Sequence, residues 1–328
     1  MAGQPRHSPD QMLTGVPAYV DGRMIGITER AGGQVVNRDR MWHYVEGIRN
    51  YAPVWENHGI RILPGPSSLW LDATGRRLPV PLFPGFDTLG TLAHLRTTGH
   101  DYSWFVLSQK VIEKEFALSG SEQNPDLTGK SIREVLRQRL RAGAPEPVEA
   151  FKQQGADFVV ADDIRELVAG MNRVAGNDLL DAADVERQVV ARDREIDNAF
   201  TKDLQVTAIR GARNYRADKL FRVAPPHRFL DPKAGPLIAV QLHVITRKSL
   251  GGLNTDLSGR VLDESGAPVP GPVRRGRGER LRRRRRARLS LARGDVPRRL
   301  HLLGQGRRQR RSRRDRVGAG TGRCRRTS

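Results

Sequence analysis

"GPLIAVQLHVITRKSLGGLNTDLSGRVLDESGAPVPG", residues 235–271, carries more structural instruction than any other stretch of the chain. Leu237 to Val240 and Leu242 to Thr246 are short apolar runs rich in β-branched residues, which predicts two strands. Gly251 and Gly252 follow. Such a pair lets backbone come close to a flat ring, because only glycine lacks the Cβ that would stand in the way; a plain glycine hairpin accounts for the same two residues. "GAPVPG" is ordinary turn chemistry, and after it the composition changes abruptly. From Gly271 to Ser328 there are 23 arginines, no lysine and three acids, a net charge of +20. The preceding 270 residues hold 34 basic and 33 acidic groups, so the formal charge of +21 describes the tail and not the body.

A block of like charge with few apolar groups cannot offset chain entropy, so the tail at face value is a disordered basic arm suited to nucleic acid. Such arms usually mix lysine with arginine and interleave aromatics for base stacking. This one has no Lys, Phe, Tyr, Trp, Ile, Asn or Met, residues that, Trp apart, have AT-rich codons. Arginine, glycine, alanine and proline are what GC-rich coding DNA yields in a wrong reading frame. Reread one base out of frame from Pro272, with wobble bases left free, the stretch after "PVPG" can become "LYAAGEASGFGGGG". Residues 272–328 are therefore expected to be a disordered, out-of-frame tail, with nucleic acid a partner only if that tail is genuine.

The single cysteine, Cys324, lies in the tail, so no disulfide framework or multi-cysteine metal site is available to the body. No apolar run reaches the roughly 18 residues of a membrane span, and Met1 to Met12 lacks the apolar core of an export signal. The expectation is a cytoplasmic protein without a membrane partner. Helix starts are legible: Ser131-x-x-Glu134 before Ile132, Val135, Leu136 and Leu140, Asp163-x-x-Glu166 before Leu167, Val168 and Met171, and Asp181 before Val185 and Val189. These are core stripes. Asp21 precedes Met24, Ile25, Ile27 and Ala31 at helical spacing, with Gly32 to end the helix. "LWLDATGRRLPVP", Leu69 to Pro81, predicts a hairpin turning at Ala73 to Gly75. "NPDLTGKS", Asn124 to Ser131, ends like a phosphate-binding loop but has Asn124 where the first glycine belongs. With HExxH and GxSxG absent and the eight histidines scattered, zinc and serine hydrolases have no support.

Several of these stretches resemble one family. "VDGRMIGITERAGG", Val20 to Gly33, is similar to the "GDGxxMAxxxGA" segment of the fumarate reductase/succinate dehydrogenase flavoprotein family. The Leu69 hairpin is similar to its "LxVNxxGxRF", residues 235–271 to its "GPFYAV…GGLxxDxxxxVLdxxGxPIPG", and the reread tail to its "PGLYAAGE". "RDRMWHYVEGIRNYAP", "DYSWFVLSQKVIEKEFALSGSEQNPDLTGKS" and "TKDLQVTAIRGARNY" resemble the FAD-binding dehydrogenases related to 3-ketosteroid Δ1-dehydrogenases. The resemblance implies an α/β fold with an inserted α+β cap. Residues 1–33 would be the remnant of an incomplete Rossmann-like FAD domain, 34–234 the capping or substrate domain, 235–271 the return strands, and 272–328 the tail. The family opens on a GxGxxG turn that this chain lacks, and Met1 corresponds to a point inside the family's first domain. The expectation is an incomplete and inactive fragment.

The resemblance also assigns roles. FAD would be the cofactor, contacted by Asp21, Gly22, Gly251 and Gly252; Asp21 can serve at once as contact and as helix cap. A small organic substrate, steroid-like or an enone, would exchange a hydride with flavin N5 while a side chain handles the neighbouring proton, and an unidentified acceptor would take the electrons on. Tyr102 and Tyr44 are the proton carriers the resemblance suggests, in need of a polar network that lowers the phenol pKa. His43 falls near a substrate histidine in the "MWQFHPTG" of succinate dehydrogenase relatives, two places out of step. Arg247 and Lys248 replace the histidines of "HHTMGG", which argues against fumarate or succinate and leaves two cations to hold a substrate oxygen.

Overall fold

The structure, a computed structural model, describes residues 12–119 and 143–270, and the backbone of 279–281. The chain divides into two compact units, one of Met1–Arg23 with Asn37–Gly251, the other of Met24–Val36 with Gly252–Ser328. The first unit holds an eight-stranded sheet. In chain order its strands are β1 (Leu13–Thr14), β3 (Met41–Arg49), β4 (Gly59–Leu63), β5 (Leu69–Asp72), β6 (Tyr102–Ser108), β7 (Ala117–Ser119), β8 (Phe158–Ala161) and β9 (Leu237–Ser249); β2 (Val35–Val36) belongs to the second unit. The order is β5-β6-β9-β3-β4-β7, with β1 and β8 also on β9.

β9 is the spine. Along one edge it pairs with β6, from Ser108↔Leu237 to Tyr102↔His243. Along the other it pairs first with β8, over Leu237 to Val240, and then with β3, from His243 to Ser249. The two strands expected between Leu237 and Thr246 are thus one. The expected break at Gln241 does not occur because its N–H donates to the Asp157 carbonyl at 2.8 Å, filling the step between β8 and β3. The boundary expected after residue 234 falls just before this strand, whereas the compact unit continues through Gly251.

Most pairings are antiparallel; β1 joins β9 in parallel, and Thr14 also bridges His58 in parallel. The architecture is mixed α/β. Helices α2 (Thr88–Leu95) and α3 (Gln109–Glu115) flank β6 in sequence, and α4 (Glu146–Gln154), α5 (Ile164–Ala175), α6 (Ala182–Asp197), α7 (Leu204–Ala212) and α8 (Arg216–Phe221) follow. The caps are those the sequence indicated: Asp163 accepts from Glu166 N at 2.8 Å and Asp181 from Asp184 N at 2.9 Å. Gly176 ends α5 in the left-handed region, φ 69°. Leu167, Met171, Val185 and Val189 are fully buried with Trp104 and Val240 in one core. The Leu69 hairpin is present too, with Asp72 accepting from Thr74 N and Arg76 N and Gly75 at φ 81°. The Ser131 capping box and "NPDLTGKS" lie outside the described residues, as does Cys324.

In the second unit β10 (Gly252–Thr255) lies between β2 (Val35–Val36) and β11 (Glu279–Leu281). Two Asp-anchored turns follow β10, at Asp256 and Asp263, each side chain accepting from backbone four residues on. β11 pairs in parallel with Leu253 to Thr255. A strand edge left open by β2 accepts backbone hydrogen bonds from any extended segment, whatever its side chains. α1 (Arg23–Arg30) runs from one unit into the other.

Candidate functional site

Cross-strand register assembles a row of residues that are far apart in sequence. Tyr102 on β6 stands opposite His243 on β9, His243 opposite Gly47 on β3, Gly47 opposite Arg61 on β4, and Arg61 opposite Ser119 on β7. Directly opposite residues of antiparallel strands share a face, so polar side chains gather on one side of five neighbouring strands. Gly47 must be glycine: a Cβ there would lie 2.7 Å from the Ile245 Cβ and 2.8 Å from the His243 carbonyl oxygen. Ile245 closes over it and separates two polar clusters.

The first cluster contains Tyr102. Its oxygen accepts from Asn177 Nδ2 at 2.9 Å, which leaves the phenolic proton free to be donated. Burial raises the phenol above its ordinary value and the Asn177 bond opposes this only in part. That is the reverse of the lowered pKa expected for a tyrosine base, because one amide is a thin network. Beside it, His243 Nε2 lies 3.2 Å from Asp157 Oδ1. Asp157 also accepts from Arg49 Nε at 2.6 Å and from Arg49 N at 2.5 Å. Its side chain is 0% exposed and that of His243 22%. Burial alone would raise the Asp157 carboxyl; His243 and Arg49 outweigh burial and hold it below the usual range, so it is an anion at neutral pH.

The second cluster contains Tyr44. The Arg61 guanidinium carbon sits 3.4 Å above the centre of its ring. Arg61 Nε is 3.8 Å from Glu46 Oε2, too far for a hydrogen bond. Neither atom has a partner among the described residues, although Glu46 is buried. Burial pushes the Glu46 carboxyl up, with Arg61 opposing.

The other expected residues are distributed around this frame. His43 pairs across with Thr246 on β9, its Nε2 is buried without a partner among the described residues, and burial lowers its pKa against a raising bond to the Met41 backbone. Arg247 is already engaged, its Nη1 donating to Ser119 Oγ at 3.1 Å. Lys248 is exposed, with its Nζ 5.9 Å from the Trp42 ring centre. A register shift between Trp42 and His43 parts these neighbours. Asp21 takes Arg23 N at 3.0 Å and pairs with Arg23 Nε at 2.7 Å, and Gly22 precedes α1 at φ 77°. A carboxylate seated at a helix start repels phosphate and accepts from hydroxyl or imide donors. Asp21 and Gly22 therefore fit a donor-bearing part of a dinucleotide, not its pyrophosphate. Gly251 N donates to Ser249 Oγ at 3.1 Å, and Gly252 opens β10 opposite Val36.

Two open depressions exist elsewhere on the first unit, one of about 500 Å³ at Glu195, Phe200 and Asp203, one of about 260 Å³ walled by Pro64, Pro84 and Phe86. None of the candidate residues lines either. Among the described residues there is no group of three side chains suited to a metal ion, and no helix long and apolar enough to cross a membrane. Sequence reasoning missed His243, Asp157, Arg61 and Glu46.

The family described as FAD binding domain matches residues 2–271. A KsdD-like steroid dehydrogenase of Mycolicibacterium smegmatis is 64% identical over 263 residues, 80% of this chain and 48% of the relative. The KsdD-like steroid dehydrogenase MT0809 of Mycobacterium tuberculosis is 63% identical over 263 residues, 80% of this chain and 46% of the relative. The chain thus spans a little under half the length of these curated relatives. Among solved structures, 3-ketosteroid delta1-dehydrogenase from Sterolibacterium denitrificans, in complex with 1,4-androstadiene-3,17-dione, aligns with TM-score 0.46 and 18% identity over 78% of this chain and 41% of its own. The open conformation of a flavocytochrome c3 fumarate reductase aligns with TM-score 0.43 and 12% identity, covering 80% of this chain and 35% of its own. None of these findings supports binding of nucleic acid.

Proposed function

The chain belongs to the FAD binding domain family, and from that membership we propose that it is the substrate-side part of an FAD-dependent dehydrogenase acting on a CH–CH bond next to a ketone in a steroid. The observation that carries this is the identity of 63% and 64% over 263 residues with two KsdD-like steroid dehydrogenases. FAD, when bound, supplies the acceptor for the hydride. The protein's own share is to grip the ketone, exclude water and move a proton. Tyr102 suits the grip: a neutral phenol, its oxygen already engaged by Asn177, offers its proton to a carbonyl oxygen and stabilises the charge that develops there. Tyr44, stiffened under Arg61, offers an aromatic wall to a flat apolar ligand. Lys248, exposed on β9, is the cation left for a polar substituent. Asp21, Gly22, Gly251 and Gly252 remain the residues proposed to meet the cofactor, within a Rossmann-like FAD domain.

The test is anaerobic incubation of the purified chain with FAD and 4-androstene-3,17-dione. Steroid-dependent bleaching of the flavin, with a steroid product two hydrogens lighter, is expected, and it would overturn the expectation, drawn from the missing GxGxxG turn, that the fragment is inactive. A steroid that neither binds nor bleaches the flavin contradicts the reading, and binding without bleaching keeps the steroid site while removing the redox step from this chain.

A further inference from the structure

We propose that His243, oriented by Asp157, is the base that takes the proton from the carbon next to the substrate ketone, a role that rests on the steroid dehydrogenase reading above. Three observations lead there. An ionised carboxylate facing Nε2 at 3.2 Å makes that nitrogen the donor of the neutral ring, so the acceptor lone pair belongs to Nδ1. Nδ1 has no hydrogen-bond partner among the described residues, and the ring is partly open to solvent while Asp157 beneath it is sealed. Register then sets His243 directly opposite Tyr102, on one face, with side chains roughly 5 Å apart at Cβ. A base with a free lone pair stands beside an acid with a free proton, the pair that enolisation of a ketone requires.

Asp157 owes its place to the strand gap. β9 exchanges β8 for β3 as pairing partner between Val240 and His243, and Asp157 bridges the change by taking Arg49 N and Arg49 Nε on one side and His243 on the other. A structural clip would need only the two Arg49 bonds. The third bond fixes which imidazole nitrogen carries the proton, so Asp157 acts as a positioning residue. In the step itself the C–H bond breaks, its proton goes to Nδ1, and its electron pair moves into the enolate, whose oxygen shares the Tyr102 proton. No oxidant enters this half of the reaction, and reversal in heavy water returns deuterium to the carbon.

The test is therefore deuterium exchange into 4-androstene-3,17-dione incubated with the purified full chain in D2O without flavin, read by mass spectrometry. The wild type is expected to accelerate exchange. His243→Gln keeps an N–H for Asp157 and is expected to lose about 100-fold with an unchanged melting temperature, while His243→Gly should recover exchange when imidazole is added, which a merely structural role would not allow. Exchange that is absent in the wild type, equal in His243→Gln, or not rescued by imidazole overturns the proposal. Because exchange needs no hydride acceptor, a chain that exchanges but never bleaches flavin sinks the dehydrogenase reading alone; one that bleaches flavin without His243-dependent exchange sinks only the assignment of His243.

Discussion

Asp157 is fully buried, yet three donors reach its carboxylate, from Arg49 N, Arg49 Nε and His243 Nε2. Its folded-state pKa lies below the ordinary value. The stabilisation it contributes is therefore complete above the unfolded-state pKa of about 3.9 and is lost as pH falls through the folded value. Asp157→Asn cannot serve all three donors as an anion does. Chemical denaturation should show the variant about 3 kcal/mol less stable near pH 7, with the gap to wild type closing below about pH 4; a gap independent of pH would mean that charge is not what Asp157 contributes. Nothing in the sequence near "GADFVVA" signals this, because the partners lie 108 and 86 residues away. His243 was more legible than it was credited for. Gln241 and His243 interrupt an apolar strand at every second position, and a polar face on a buried strand calls for an explanation. Tyr102 and Tyr44 were legible as polar aromatics, but the sequence could not show that burial would raise one phenol instead of lowering it.

The elements were legible wherever local chemistry fixes them. The Asp163 and Asp181 caps and the turn at Gly75 need only neighbours within a few residues, and they stand where composition placed them. β9 was cut in two because Gln241 reads as a break in a hydrophobic run. Its N–H is satisfied by a carbonyl from a strand that only the tertiary fold brings up. The same strand makes a demand on β3. Gly47 lies under Ile245, and an added methyl would come within 2.7 Å of that side chain's Cβ. Gly47→Ala is expected to lower stability by about 1–3 kcal/mol through overpacking, read as a lower urea midpoint at unchanged slope. An unaltered midpoint would mean that β3 and β9 are not registered as described.

At the scale of the molecule, the two compact units divide at Arg23/Met24, Val36/Asn37 and Gly251/Gly252, so the expected 1–33 segment is shared between them and β9 stays with the first unit. The resemblance carried the family correctly because its motifs lie in turns and glycine pairs, which single sequences display openly. It could not carry the polar row. That row arises from register across five strands, and register is set by long-range pairing. The assignment of the row as the substrate face is the central claim, and it is tested most directly by titration calorimetry of 4-androstene-3,17-dione into the purified chain, with Tyr102→Phe, His243→Gln and the double variant alongside. The account expects each single variant to weaken binding by about 1 kcal/mol and the double variant to lose at least 0.5 kcal/mol less than the sum, as residues serving one ligand group do. Equal binding by all four proteins, or no binding by the wild type, would contradict it.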